Sequence, residues 1–232
     1  MAKALSALQE RVLSLLIQRG VVSDGAYVLS GGTALSEYHL GHRQSDDLDF
    51  FSRHRADVRP DVQGVAEALR EAGYAVELEQ RSDAFARVLL RSPTSEELIL
   101  DFGLEYHPLE PPRHVDDVVV DSYRDMAARK LVAFFERGDQ EAKDAVDLYF
   151  LLTQGGWTME RLIADARQKT ADLDHSDGLL ELARLLIRSA DAPYLDRMRR
   201  LRFLGEAPNV LEVGRRLRQE GERLVLGLRP LG

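Results

Sequence analysis

The chain reads as an α+β protein: a mixed β-sheet flanked by helices, followed by an all-helical C-terminal part. Three observations carry that reading. Between residues 26 and 120, short apolar runs alternate with helical spacings, without the regular strand–helix–strand repeat of a doubly wound sheet. Two of those runs, Ala84–Arg91 and Glu97–Phe102, are separated by Ser92-Pro93-Thr94-Ser95, the composition of a hairpin turn. After Asp121 the strand-like runs stop and only helical spacing remains.

Leu5, Leu8, Val12, Leu15 and Leu16 fall at helical spacing, which predicts an amphipathic helix over Ala4–Arg19, stopped by Gly20. Ala26–Ser30 is a short apolar strand, and Thr33–Leu40 a short helix that starts at a Gly-Gly turn. Asp47–Ser52 alternates acid with apolar, so Asp47 and Asp49 share one face of a strand and Leu48 and Phe50 the other. Pro60 opens a helix that runs to Ala72, with Gly73 as its stop. Tyr74–Glu79 begins the next group of strands. Pro108, Pro111 and Pro112 mark a loop, and Val118–Val120 a last short strand.

Ser122 with Asp125 three residues on is a helix-start signature. Tyr123, Met126, Leu131, Phe134 and Phe135 then follow at helical spacing. Further helices are expected at Gln140–Gln154, Met159–Lys169, Gly178–Arg188 and Val210–Leu226. The boundary falls near residues 108–121, dividing the chain into domains 1–120 and 121–232.

With 232 residues, 44% of them apolar, the chain can bury one large core or two small ones. It contains no apolar run of transmembrane length. Its first residues lack the unbroken apolar stretch of a signal peptide, and it has no cysteine. Disulfides, thiolate zinc sites and cysteine nucleophiles are excluded, and a cytoplasmic protein without membrane partners is expected. The net charge of −8 argues against a protein that coats nucleic acid. From Glu181 onward, however, 11 arginines face 7 acids, a balance of +4 that leaves −12 on the preceding 180 residues. That asymmetry suits metal at one end and a polyanion at the other; charged helix surfaces alone would also produce it.

The chemistry concentrates in YVLSGGTALSEYHLGHRQSDDLDFF, Tyr27–Phe51. Glycines between a strand and a helix, Gly31 and Gly32, allow close backbone approach to phosphate, and Ser30 and Thr33 offer hydroxyls beside them. The same glycines alone would serve a tight turn. Asp47 and Asp49, two apart on a strand, project side by side and would repel unless a cation lies between them. Alone, Asp-x-Asp is also what an exposed acidic strand face looks like. Asp101, at the end of the apolar strand ELILDF, would complete a three-carboxylate metal site if that strand lies beside the pair.

In combination, the strand, Gly-Gly-Thr, the short helix, Asp-x-Asp and the later strand aspartate resemble the nucleotidyltransferase superfamily of polymerase-β type. Fourteen residues separate Gly32 from Asp47, at the long end of the usual interval. In the helical half, KLVAFFERGDQEAKDAVDLYFL places Lys130, Arg137 seven residues on, and then Lys143-Asp144 and Asp147-Leu148. With Gly-Gly-Thr-Ala-Leu, Arg43, Ser45 and Asp47-Leu48-Asp49-Phe50, this resembles the AbiEii-type nucleotidyltransferases, toxins of type IV toxin–antitoxin and abortive-infection systems. The resemblance covers roughly residues 25–152.

The resemblance implies an N-terminal nucleotidyltransferase domain and a helical domain that completes its active site. It implies nucleotide binding by Ser30, Gly31, Gly32, Thr33, Arg43 and Ser45, and Mg²⁺, two ions, on Asp47 and Asp49 with Asp101. Lys130 would neutralise phosphate charge, and Asp144 and Asp147, three apart on a helix and hence on one face, would complete the catalytic set. The expected activity is transfer of a nucleoside monophosphate from an NTP to an acceptor hydroxyl. Transfer RNA is the expected acceptor and an antitoxin protein the expected partner. Two other readings stay open: a small-molecule or protein acceptor, and a member that binds nucleotide without catalysis.

Overall fold

In a computed structural model of the chain, residues 3–22, 25–138 and 141–228 are described. The chain divides into two compact units, Met1–Tyr123 and Arg124–Gly232.

The first unit is built on a seven-stranded mixed sheet among the described residues. Its strands are β1 (Val28–Ser30), β2 (Asp47–Ser52), β3 (Ala75–Arg81), β4 (Phe85–Arg91), β5 (Glu97–Leu104), β6 (Arg113–Val115) and β7 (Val118–Val120). Their spatial order is β3-β4-β5-β2-β1-β7-β6. Strand β2 sits at the centre, antiparallel to β1 and parallel to β5. The hairpin expected at Ser92–Ser95 joins β4 to β5, with Ser95 in the left-handed region (φ 65°).

Alternation decides what each face carries. Leu48, Phe50, Val88, Leu90, Leu100 and Phe102 are all fully buried on one face. There the Phe102 ring stacks on Phe50 at 5.1 Å and meets the edge of Tyr27 at 5.4 Å. Helix α3 (Arg59–Glu71) packs on β3 and β4, burying Val62, Val65 and Leu69. The opposite face of the central strands carries Asp47, Asp49 and Asp101.

Helix α1 (Ala7–Gln18) opens on a capping box: Gln9 N–H donates to Ser6 Oγ and Ser6 N–H donates back to Gln9 Oε1. Gly20 follows its end with φ +73°. Helix α2 (Gly31–Leu35) continues directly into a π-helical turn, Ser36–Leu40, where the sequence pattern suggests a single helix over Thr33–Leu40. Gly41, at φ +60°, ends it.

The second unit is helical: α4 (Tyr123–Arg137, whose first residue closes the first unit), α5 (Ala142–Thr153), α6 (Met159–Ala166), α7 (Ser176–Arg188), α8 (Ala192–Met198) and α9 (Val210–Leu228). The expected start of α5 at Gln140 lies outside the described residues. Helices α7 and α9 pack through a glycine: a Cβ on Gly221 would stand 2.6 Å from the Ala183 carbonyl oxygen. Two ion pairs tie α4 to α6 and the residues just after it, Arg124 with Asp165 at 2.5 Å and Lys169 with Asp125 at 2.7 Å, the second of them buried.

Candidate functional site

In the first unit the site grows from the junction of β1, α2 and β2. The antiparallel register sets Ser30 opposite Asp49, so the Gly-Gly turn rises beside the acidic face of β2. Gly31 takes φ +69°, a conformation that favours glycine. A Cβ there would stand 1.8 Å from Asp49 Oδ2, so the carboxylate lies directly over the Gly31 backbone. On Gly32 a Cβ would meet Ser45 Oγ at 2.7 Å and Arg43 Nη2 at 2.8 Å. The two glycines therefore leave room for the side chains of Asp49, Ser45 and Arg43.

Several bonds brace this junction. Ser45 Oγ donates to Asp47 Oδ1 at 2.7 Å. Thr33 Oγ1 donates to the Asp47 carbonyl at 2.6 Å, and Ser30 Oγ to Asp121 Oδ2 at 2.9 Å. Asp121 is in turn held by Arg53 at 2.6 Å. Ser30 and Thr33 are fully buried, so in this structure their hydroxyls hold β1, α2, β2 and β7 together, where the sequence reading gives them to phosphate. Arg43 is also buried, lies along Gly32, and donates from Nη1 to the Gln44 carbonyl at 2.9 Å.

Two residues outside the sequence-derived set belong to this site. Gln9 Nε2 donates to the carbonyls of Ser45 (2.9 Å) and Asp47 (3.2 Å), fixing the entry to β2 from helix α1. Its capping-box position is visible in the sequence; its reach across 36 residues is not. Arg87, on β4, donates from Nε and Nη2 to both oxygens of Asp101, each at 2.7 Å. Bonding to Asp101 holds the guanidinium pKa above its ordinary value, and the negative charges of Glu79 and Asp47 act in the same direction.

The strand expected to carry the third carboxylate does lie beside the pair, with Asp101 next to Asp49, but Asp101 is bonded to Arg87. Among the described residues, no group of three or more His, Asp or Glu side chains gathers to hold a metal. Asp101 lies opposite Asp49 in the β2–β5 register, but the β4–β5 register sets Arg87 opposite it on the other side. The guanidinium takes both of its oxygens. Asp47 and Asp49 remain the candidate metal-holding pair: adjacent hard carboxylate donors suit a hard divalent cation.

In the second unit, α4 and α5 bring Lys130, Asp144 and Asp147 together. Lys130 Nζ lies 2.8 Å from Asp147 Oδ2 and 3.3 Å from Asp144 Oδ1. Arg137 Nη1 reaches the other Asp144 oxygen at 3.3 Å. Both carboxylates are fully buried and the Lys130 side chain is only 9% exposed, so these charges must satisfy one another. The spacing of three places both aspartates on the α5 face that meets Lys130. Of the arginines after Glu181, Arg184, Arg199, Arg216, Arg218 and Arg223 pair with Glu181, Asp196, Glu220, Asp191 and Glu220 respectively. Arg200 and Arg202 are exposed.

Comparison with known proteins bears on this arrangement. The family described as "Nucleotidyl transferase AbiEii toxin, Type IV TA system" matches residues 18–213. A protein of Aquifex aeolicus (strain VF5) is 29% identical over 179 residues, 72% of this chain and 77% of its own length. A putative nucleotidyltransferase of Helicobacter pylori is similar in structure, with a TM-score of 0.58 at 21% identity, covering 98% of this chain and 99% of that one. JHP933, also of H. pylori, gives 0.56 at 19% identity over 97% and 94% of the two chains. The nucleotidyltransferase toxin MenT4 of Mycobacterium tuberculosis H37Rv gives 0.50 at 19% identity over 96% and 91%. At these identities the structures speak to the fold.

Proposed function

The chain belongs to the AbiEii family of nucleotidyltransferase toxins, and from that premise we propose that it moves a nucleoside monophosphate from an NTP to an acceptor hydroxyl in a Mg²⁺-dependent reaction, releasing pyrophosphate. The observation that carries this reading is the seating of the Asp49 carboxylate over the Gly31 backbone, with Ser45 bonded to Asp47 beside it. That proximity supports a reading in which the Gly31 backbone meets phosphate beside the acids that hold the metal.

Gly31 and Gly32 approach the triphosphate through their backbone, and no side chain at either position blocks it. Asp47 and Asp49 hold Mg²⁺, with Ser45 orienting Asp47. A divalent ion held there supplies charge stabilisation at the transferring phosphoryl group. Ser30 and Thr33 act as positioning residues through Asp121 and the Asp47 carbonyl, and Arg43 supports the turn from beneath Gly32. Lys130 compensates phosphate charge, and Asp144 and Asp147 fix its ammonium group.

The acceptor in this reading is RNA, with tRNA as the class to test first, recognised in part by exposed arginines such as Arg200 and Arg202. The protein then acts as a translation-blocking toxin whose partner is an antitoxin protein. A small-molecule or protein acceptor is the second reading. It draws on the pairing of five C-terminal arginines with neighbouring acids, which lowers the charge available to a polyanion.

The test is incubation with each labelled NTP, Mg²⁺ and bulk RNA, followed by identification of the labelled product. Labelled tRNA supports the reading; label that appears only on protein or a small molecule moves the acceptor to the second reading. Transfer at the wild-type rate by the Asp47→Asn, Asp49→Asn double variant would remove the metal assignment.

A further inference from the structure

We propose that Asp101 anchors Arg87 and does not ligate a metal ion, so that the site takes a single divalent ion on Asp47 and Asp49, with the Arg87 guanidinium supplying the second positive charge. This deepens the reading above and rests on its placement of metal on the Asp47–Asp49 pair.

The sheet register carries the argument. Asp49, Asp101 and Arg87 lie on three adjacent strands in direct partnership, Asp49 with Asp101 across β2–β5 and Arg87 with Asp101 across β4–β5. Direct cross-strand neighbours stand within about 5 Å of one another, so an acid and a base placed there meet without distortion. The pair is bidentate, with both contacts at 2.7 Å, the geometry in which a guanidinium matches a carboxylate best. The Asp101 side chain is 11% exposed and that of Arg87 37%, so the acid is the more buried partner of the pair.

Arg87 is also placed to act toward the metal pair. The Asp47 charge bears on its guanidinium, and its Cζ lies over the Phe85 ring, 6.0 Å from its centre. Without nucleotide, three carboxylates on one sheet face carry a charge of −3, which one guanidinium and one divalent ion neutralise. A guanidinium cannot shed its proton to make room for a second ion. It must swing away, and to do so it must give up two charge-assisted hydrogen bonds.

The experiment counts metal and does not depend on turnover. Mn²⁺ is titrated by electron paramagnetic resonance into the full chain, alone and saturated with a non-hydrolysable NTP analogue. The wild type is expected to bind one ion per chain in both conditions, and Asp101→Asn still one. Arg87→Gln, which releases Asp101 and removes a positive charge, tightens Mn²⁺ binding at least tenfold; thermal melting verifies that each variant is folded. Two ions on the wild type, one of them lost in Asp101→Asn, overturns the inference, as does unchanged affinity in Arg87→Gln. Mn²⁺ binding that is unaffected in the Asp47→Asn, Asp49→Asn variant instead overturns the metal placement on which the inference rests.

Discussion

The Gly31 backbone and the Asp49 carboxylate occupy adjoining space that admits no side chain between them: a Cβ on Gly31 would stand 1.8 Å from Asp49 Oδ2. Gly31→Ala therefore does two things. It places a β-carbon in a left-handed conformation, which costs about 1–2 kcal/mol, and it pushes the Asp49 carboxylate off its position. Displacing a catalytic group by an ångström costs about 100-fold in rate, so Gly31→Ala is expected to lose at least that much turnover. Gly20→Ala separates the two effects. Gly20 has φ +73° but nothing within 4 Å of a Cβ, so the variant loses stability alone and keeps its activity. Steady-state kinetics with thermal melting of both proteins checks this.

The Asp47–Ser52 strand is legible in the sequence because alternation of acid and apolar residues has one structural solution: the apolar face goes inward. The meeting of Lys130 with Asp144 and Asp147 is partly legible, because an i, i+3 pair shares a helix face whatever it packs against. Arg87 is not legible. The residues 85–91 announce a strand, but its partner acid is chosen by the β4–β5 register, and a shift of one residue would set Arg87 opposite a non-acidic neighbour of Asp101. Strand β6, Arg113–Val115, is hidden for another reason. It is three residues long and returns to β7 through Asp116 and Asp117, with Asp116 at φ +51°, so neither strand propensity nor a glycine marks it. Helix α8, Ala192–Met198, has Pro193 in its first turn but only seven residues, too few for a periodic pattern to stand out. The roles of Ser30 and Thr33 depend on Asp121 and the Asp47 carbonyl, 91 and 14 residues away, which local reading does not see.

The sequence alone suggests that Lys130→Ala should reduce turnover and spare the fold. In the structure Lys130 is the buried partner of two fully buried carboxylates. Removing one member of such a set leaves uncompensated charge and costs about 3–5 kcal/mol. Lys130→Ala is thus expected to lower the melting temperature sharply. The triple variant Lys130→Met, Asp144→Asn, Asp147→Asn removes the three buried charges together, leaves the half-exposed Arg137 to solvent, and should regain part of that stability while remaining inactive. Recovery of stability without activity separates the catalytic contribution from the folding one; equal instability in both proteins would contradict the charge argument.

His39 gives a prediction about pH. Its ring stacks on Tyr123 at 4.3 Å and Nε2 lies 2.9 Å from Arg113 Nη2. Burial, with the Arg113 charge adding to it, lowers its pKa from 6.5 to about 4. As pH falls below 6.5 the unfolded chain takes up this proton first, so its stabilising contribution is complete above that pH and is lost progressively down to about 4. His39→Gln removes the titrating group. Melting temperatures measured every half pH unit should therefore fall more steeply for the wild type than for His39→Gln across this window. Parallel curves would mean that His39 is equally protonated in the folded and unfolded states.

The acceptor can be tested through charge. Arg199, the residue after α8, is engaged with Asp196 in that helix, so reversing it would mainly repel a neighbour. Arg200 and Arg202 are likewise exposed, and reversing both changes the local charge by −4. Each phosphate contact contributes about 0.7–0.9 to the slope of log affinity against log salt, because binding releases condensed counterions. If the acceptor is RNA and both side chains meet phosphate, Arg200→Glu with Arg202→Glu should weaken RNA binding and flatten that slope by at least about 1.4. NTP binding should stay at the wild-type level. Filter binding across a salt series reads both quantities. An unchanged slope would remove these two arginines from the RNA contact, and a wild-type slope near zero would favour the small-molecule or protein acceptor, since no phosphate-rich partner binds without releasing ions.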